Sequence, residues 1–118
     1  MKKLAVVGSR SFADYVLLKA VLDGFDEPLH IISGGARGAD KLSERWARET
    51  GNELTVFVAD WEGLGKSAGF VRNRKMAEEC DECIAFWDES SRGTAHMMAL
   101  VSDLNKPLLV IPCLVNPS

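Results

Sequence analysis

The chain has 118 residues, 47% of them hydrophobic and 26% charged, values that fit one soluble globular domain with a real core. Its formal net charge of −3 argues against a surface that attracts nucleic acid as a whole, so nucleotide binding would have to come from a local basic cluster. No apolar run reaches the ~18 residues of a membrane span, and three cysteines, Cys80, Cys83 and Cys113, are too few and odd in number for a disulfide framework, which fits a reducing compartment.

The first residues, Met1 to Gly8, superficially resemble a signal peptide, but the apolar run is far too short and breaks into a glycine turn. They read as a first strand, Lys3–Val7, of a cytoplasmic protein. A helix over Asp14–Gly24 follows, with Leu17, Leu18, Val21 and Leu22 at helical spacing and Gly24 as its C-cap. Leu29–Ser33 reads as a second strand. Ala39–Thr50 reads as a second helix that buries Ala39, Leu42, Trp46 and Ala47 and is stopped by Gly51.

A third strand, Glu53–Ala59, leads into a connection without regular pattern, Asp60–Ser67. A helix over Ala68–Cys80, a strand over Glu82–Trp87 and a helix over Thr94–Leu104 come next, the last with Ala95, Met98, Ala99 and Ser102 facing inward. Asn105-Lys106-Pro107 is a turn before a fifth strand, Leu108–Pro112, and Leu114–Ser118 reads as a frayed tail. The strands are continuous apolar runs rather than alternating ones, as expected when both faces of a parallel sheet are covered. Right-handed crossovers then imply an α/β fold, a Rossmann-like doubly wound, five-stranded and mostly parallel sheet flanked by helices, in one domain over 1–118.

The most informative feature is a set of three glycine-rich turns, each running from a strand into a helix. They are Gly8-Ser9-Arg10-Ser11-Phe12, Ser33-Gly34-Gly35-Ala36-Arg37-Gly38-Ala39-Asp40 and Asp88-Glu89-Ser90-Ser91-Arg92-Gly93-Thr94. Such turns present unpaired amides and a positive helix end, and each carries an arginine, which points to a phosphate-bearing ligand. In a doubly wound sheet all these turns share the carboxyl edge of the strands, where ligands bind. Arg10, Arg37, Lys66, Arg72, Arg74 and Arg92 are expected there, among 14 Lys and Arg in all.

Gly8, Ser9 and Arg10 let a ligand approach the backbone and offer a hydroxyl donor. Gly34, Gly35, Arg37 and Gly38 form the strongest of the three turns. Asp40 either binds a ribose hydroxyl, orients Arg37 or compensates the helix dipole. Gly93 and Thr94 resemble a phosphate cradle, with a plain N-cap as the other role of Thr94. Arg72 and Asn73 are suited to a phosphate together with a base or sugar edge, while Arg74 reads as well as surface charge. Trp61 and Trp87 can stack on a base or pack at a rim, and Trp46 belongs in the core. Cys80-x-x-Cys83 lacks the further paired ligands of a zinc site, His96 has no evident partner, and no catalytic residue or metal site is apparent.

With the glycine turns, Trp46-Ala47, Trp61 with Gly65 and Ala68-Gly69, and Arg72-Asn73, the chain resembles the YspA-like, cpYpsA-related family of the SLOG superfamily from its first strand to its fourth long helix. The resemblance implies a Rossmann-like fold that binds a nucleotide or nucleotide derivative. The related DNA-processing A proteins share the Ser33–Asp40 and Phe70–Arg74 patterns and bind single-stranded DNA. The related Lonely guy phosphoribohydrolases carry a catalytic glutamate three residues after the threonine of the phosphate loop; that position is Met97 here, which cannot act as acid or base. The reading is therefore a nucleotide-binding protein, with a nucleotide-cleaving hydrolase and a single-stranded DNA binder as alternatives, and with a homodimer compatible with the open edge of the sheet.

Overall fold

The computed structural model describes residues 1–113, and Leu114–Ser118, read above as a frayed tail, lie outside the described residues. Five strands form one sheet: β1 (Lys2–Gly8), β2 (Leu29–Ser33), β3 (Glu53–Val56), β4 (Glu82–Trp87) and β5 (Leu108–Pro112). Their spatial order is β3-β2-β1-β4-β5, and every pairing is parallel. The chain winds outward from β1 to β3 and then returns to place β4 on the other side of β1. The winding therefore reverses between β1 and β4, the place where a doubly wound sheet opens a crevice.

The helices are α1 (Tyr15–Asp23), α2 (Ala39–Thr50), α3 (Trp61–Leu64), α4 (Ala68–Glu79) and α5 (Arg92–Asp103). Successive residues of the central strands feed opposite layers. Leu4, Val6, Ile31, Ile84 and Phe86 pack with Leu18, Leu22, Trp46 and Ala47 of α1 and α2. Ala5, Val7, Ile32, Cys83 and Ala85 pack with Met76, Ala77, Met97 and Val101 of α4 and α5. Trp46 is in the core as expected, its indole N–H donating to Asp23 at 2.8 Å. No helix among the described residues is long and apolar enough to cross a membrane.

Continuous burial on both faces holds for the inner strands but not for β5, whose residues are half-buried or exposed throughout. It is an edge strand, and a fully apolar sequence there cannot be told from an inner strand by its pattern. β3 stops at Val56 instead of continuing to Ala59. Its partner β2 ends at Ser33, which pairs with Val56; one last bond, from Phe57 N–H to Ser33 O at 2.8 Å, closes the ladder.

The connection after β3 is more ordered than its sequence suggests. Asp60 caps α3 by accepting from Gly63 N–H at 2.9 Å, and a 3-10 turn over Gly65–Ser67 leads directly into α4. These pieces are too short to show a helical period. α5 begins at Arg92 with Ser91 as N-cap, two residues before the expected start. Its buried residues are Thr94, Met97 and Val101, while Ala95, Ala99 and Ser102 are exposed. Alanine and serine fit either face of a helix, so the larger Met97 and Val101 decide the inward side. Lys106, expected only as part of a turn, closes the end of α4 by donating to Ala77 O, Glu78 O and Cys80 O at 2.7–2.8 Å.

One glycine locks the first two turns together. Gly38 has φ +84, and a Cβ there would lie 2.1 Å from Ser9 O. Gly51 also has positive φ, +73, but has nothing within 4 Å of its Cβ position. Gly51→Ala should therefore cost only the conformational penalty, about 1 kcal/mol, whereas Gly38→Ala should cost at least about 3 kcal/mol or prevent folding. Urea denaturation of both variants measures the difference; equal costs would contradict direct contact between the two turns.

Candidate functional site

The β2–α2 turn is built around Asp40. Its Oδ2 accepts from Gly34 N–H at 3.1 Å and from Ala36 N–H at 3.3 Å. Between them, Gly35 N–H donates to Ser33 Oγ at 3.1 Å, and that hydroxyl donates to Glu44 Oε2 at 2.7 Å. Arg72 reaches across from α4 and donates to Gly34 O at 2.8 Å, while its Nε is buried without an acceptor. A Cβ on residue 34 would stand 2.8 Å from Asp40 Oδ2 and 3.1 Å from Arg72 Nε. Glycine is needed there for the carboxylate and guanidinium to close on the turn.

This arrangement changes the reading of Asp40 and of the turn. Three consecutive amides expected to face a ligand are held by side chains of β2 and α2. Asp40 organises the turn and lies in the field of Arg72 rather than orienting Arg37. Burial pushes its carboxyl up to about 6, against the opposing effects of Ala36 N–H, Arg72 and Gly34 N–H. Glu44, one turn further along α2, adds to the upward shift.

The β4–α5 turn follows the same scheme. Asp88 Oδ1 accepts from Ser90 N–H at 2.9 Å and from Ser91 N–H at 2.8 Å, and these bonds hold its carboxyl below the ordinary aspartate range despite partial desolvation. Thr94 is not the N-cap; Ser91 is, and Thr94 Oγ1 pairs with Ser91 Oγ at 2.9 Å while its side chain is buried. Asn73, also buried, donates to Gly93 O at 3.1 Å and lies 3.2 Å from His96 Nδ1. Burial lowers the His96 pKa, with Arg74 adding to the effect. His96, which has no partner evident in sequence, is thus held between Asn73 and the Phe70 ring.

The turns enclose one cleft of about 1040 Å³ at the carboxyl edge of the sheet. Gly8, Ser9, Arg10, Gly34, Gly35, Arg37, Asp40, Arg72, Asn73, Gly93 and Thr94 line it. Gly38 does not; it lies behind, against Ser9. Arg74 is exposed elsewhere and Trp87 is not part of the lining, whereas Lys41, Val58, Trp61, Lys66 and Phe70 are. Lys41 was hidden from sequence reasoning because it follows the turn inside α2. Its only signal is its place one residue after Asp40.

The electrostatics of the cleft are one-sided. Six cations line it, Arg10, Arg37, Lys41, Lys66, Arg72 and Arg92, against two carboxylates, Asp40 and Asp88, that are engaged with backbone amides. Among the described residues, Arg10, Arg37, Lys66 and Arg92 have no carboxylate within 4.0 Å. The chain's acidic excess lies outside the cleft. No cluster of three or more His, Cys, Asp or Glu suited to a metal ion occurs among the described residues. Cys80 and Cys83 are buried in the core, and burial raises both thiol pKa values.

The parallel order, the reversal between β1 and β4 and the cleft at that reversal define a Rossmann-like α/β protein. The chain belongs to the YAcAr family, the YspA, cpYpsA-related SLOG family, whose model matches residues 2–63. It is 35% identical to the Gene 61 protein of Mycobacterium phage D29, over 92% of this chain and 95% of that protein. Its fold resembles DNA processing protein A from Streptococcus pneumoniae, with TM-score 0.83 and 20% identity over 99% of this chain. It spans about half, 52%, of that protein's length. DNA processing protein A from Helicobacter pylori, described for its single-stranded DNA binding mode, gives TM-score 0.73 at 21% identity, over 99% of this chain and 68% of that one. A predicted subunit of a tRNA methyltransferase from Methanocaldococcus jannaschii is more distant, with TM-score 0.51 and 16% identity over 93% of this chain and 69% of that one.

The raised pKa of Asp40 fixes a sign for stability. Its folded value, about 6, lies above the ordinary 3.8, so the native state keeps a proton that the unfolded chain releases. This contribution to stability is complete below about pH 4 and declines as pH rises to about 6, by up to about 3 kcal/mol. Asp40→Asn keeps an oxygen acceptor and removes the ionisation. Urea midpoints should converge for the two proteins at pH 4, with the variant at least as stable as the parent at pH 8. A parent that gains stability over the variant between pH 4 and 8 would contradict the assignment.

Proposed function

We propose that the cleft binds the phosphate of a nucleotide or nucleotide derivative. The observation that carries this reading is the convergence of Arg10, Arg37 and Arg92, from three different strand-to-helix turns and without carboxylate partners, on one cleft of a chain with net charge −3. Guanidinium groups free of protein acceptors are suited to phosphate oxygens, which they bind through charge-assisted, often paired, hydrogen bonds. With the amides of Gly34, Gly35 and Ala36 engaged, these side chains carry more of the proposed contact than the backbone of the second turn. Asn73 and Arg72 support it from behind, because their bonds to Gly93 O and Gly34 O fix the turns.

Binding is favoured over cleavage by the position of Met97, which is completely buried in the core. The site at which the resemblance would place a catalytic glutamate is thus not part of the cleft lining and carries no ionisable group. A second reading, single-stranded DNA binding, draws support from the binding mode named for the similarly folded Helicobacter pylori protein. The six cleft cations give it a physical basis.

Calorimetric titration of AMP and ADP into the parent and Arg37→Ala proteins tests the first reading. Loss of a charged phosphate contact should weaken binding by about 1.5–3 kcal/mol, ten-fold or more. Unchanged affinity would overturn the phosphate reading, since Arg37 is one of the three arginines that carry it. Titration of an eight-residue oligo-dT at several salt concentrations separates the second reading, since a strand held by several phosphates gives a steep logarithmic salt dependence and a single nucleotide a shallow one.

A further inference from the structure

The cleft is chemically divided, and the division follows the chain. The first, second and fourth strand-to-helix turns contribute the free guanidinium groups Arg10, Arg37 and Arg92. The connection from β3 and the first turn of α4 contribute the exposed apolar side chains of the lining, beside one cation, Lys66: Val58 is 81% exposed, Trp61 59% and Phe70 52%. Large aromatic side chains exposed together in a cleft mark a surface that receives a flat or apolar group.

Trp61 is placed rather than loose. It is the first residue of α3, whose start is fixed by the Asp60 cap. The edge of its indole rests against α4 at Gly69, where a Cβ would come 3.4 Å from Trp61 Cη2. A tryptophan with one edge fixed on a helix and more than half its surface open loses little freedom on stacking, so it is well suited to a base. The polar residues considered for this task have other duties: Arg72 is bonded to Gly34 O, and Asn73 to Gly93 O.

We infer that Trp61 is a specificity-determining residue that stacks on the aromatic base of the ligand, so that the cleft selects base-bearing phosphates over sugar phosphates. This rests on the phosphate-binding reading above. The β3–α4 connection receives the base while the guanidinium groups of the other turns hold phosphate. Phe70 and Val58 add apolar surface to the same cleft.

The test uses the full chain and its Trp61→Ala, Trp61→Phe and Arg37→Ala variants, titrated with AMP, the dinucleotide pApA and ribose 5-phosphate. Trp61→Ala should weaken AMP binding about ten-fold and leave ribose 5-phosphate within about two-fold, while Trp61→Phe retains most of the AMP affinity. Trp46 is buried and Trp87 lies off the cleft, so AMP should quench indole fluorescence in the parent and not in Trp61→Phe. Equal effects of Trp61→Ala on AMP and ribose 5-phosphate, or no effect on AMP, would overturn the inference and leave the phosphate reading standing. If Arg37→Ala changes none of the affinities, the phosphate reading itself fails. Absence of binding by both AMP and pApA to the parent overturns both.

Discussion

The organisation of the cleft depends on one interaction, the acceptance of the Gly34 and Ala36 amides by the buried carboxylate of Asp40. A glycine-rich turn on its own is mobile, and its bare amides are suited to an anion in many conformations. Here the carboxylate comes from the first turn of the helix that the turn introduces, so the segment closes upon itself. Arg72 then fastens the closed turn to α4 through Gly34 O. Because α4 is also tied to the β4–α5 turn through Asn73 and Gly93 O, two turns on different strands share one support. A buried carboxylate without amides and a nearby guanidinium would be costly; with them it sets the shape of the cleft.

Asp14, Asp60 and Asp88 do comparable work at the starts of α1, α3 and α5. Each accepts from one or more nearby amides of its own connection. The aspartates Asp14, Asp40, Asp60 and Asp88 on the carboxyl edge are thus engaged locally with backbone. The cleft lining is rich in cations, and on the β3–α4 side Trp61 and Phe70 stand beside Lys66. A chain acidic overall can in this way keep a cleft with the opposite character.

Much of the architecture was legible in the sequence, and for identifiable reasons. The inner strands show it best, because Leu4 to Val7 and Ile84 to Phe86 are buried on both faces and carry no polar alternation. The convergence of the glycine turns followed from parallel winding alone. The inward face of α5 is harder to read, because Ala95, Ala99 and Ser102 fit either face and apolar residues also occur beside the buried Met97 and Val101, at Met98 and Leu100. The order of the β3–α4 connection was hidden because α3 has four residues, fewer than a helical period reveals. The engagement of the second turn's amides depends on a side chain folding back by four to six residues, and an aspartate in a first helical turn has several roles that sequence does not separate.

The account stands or falls on whether the turns act as one site. A titration of isotopically labelled protein with AMP, followed by amide and guanidinium nuclear magnetic resonance, examines this directly. The account predicts that the signals of Arg10, Arg37 and Gly93 move together and saturate with a single dissociation constant, while those of the distal ends of the strands stay fixed. Shifts confined to a single turn, different constants for the different turns, or changes only outside the carboxyl edge would contradict it.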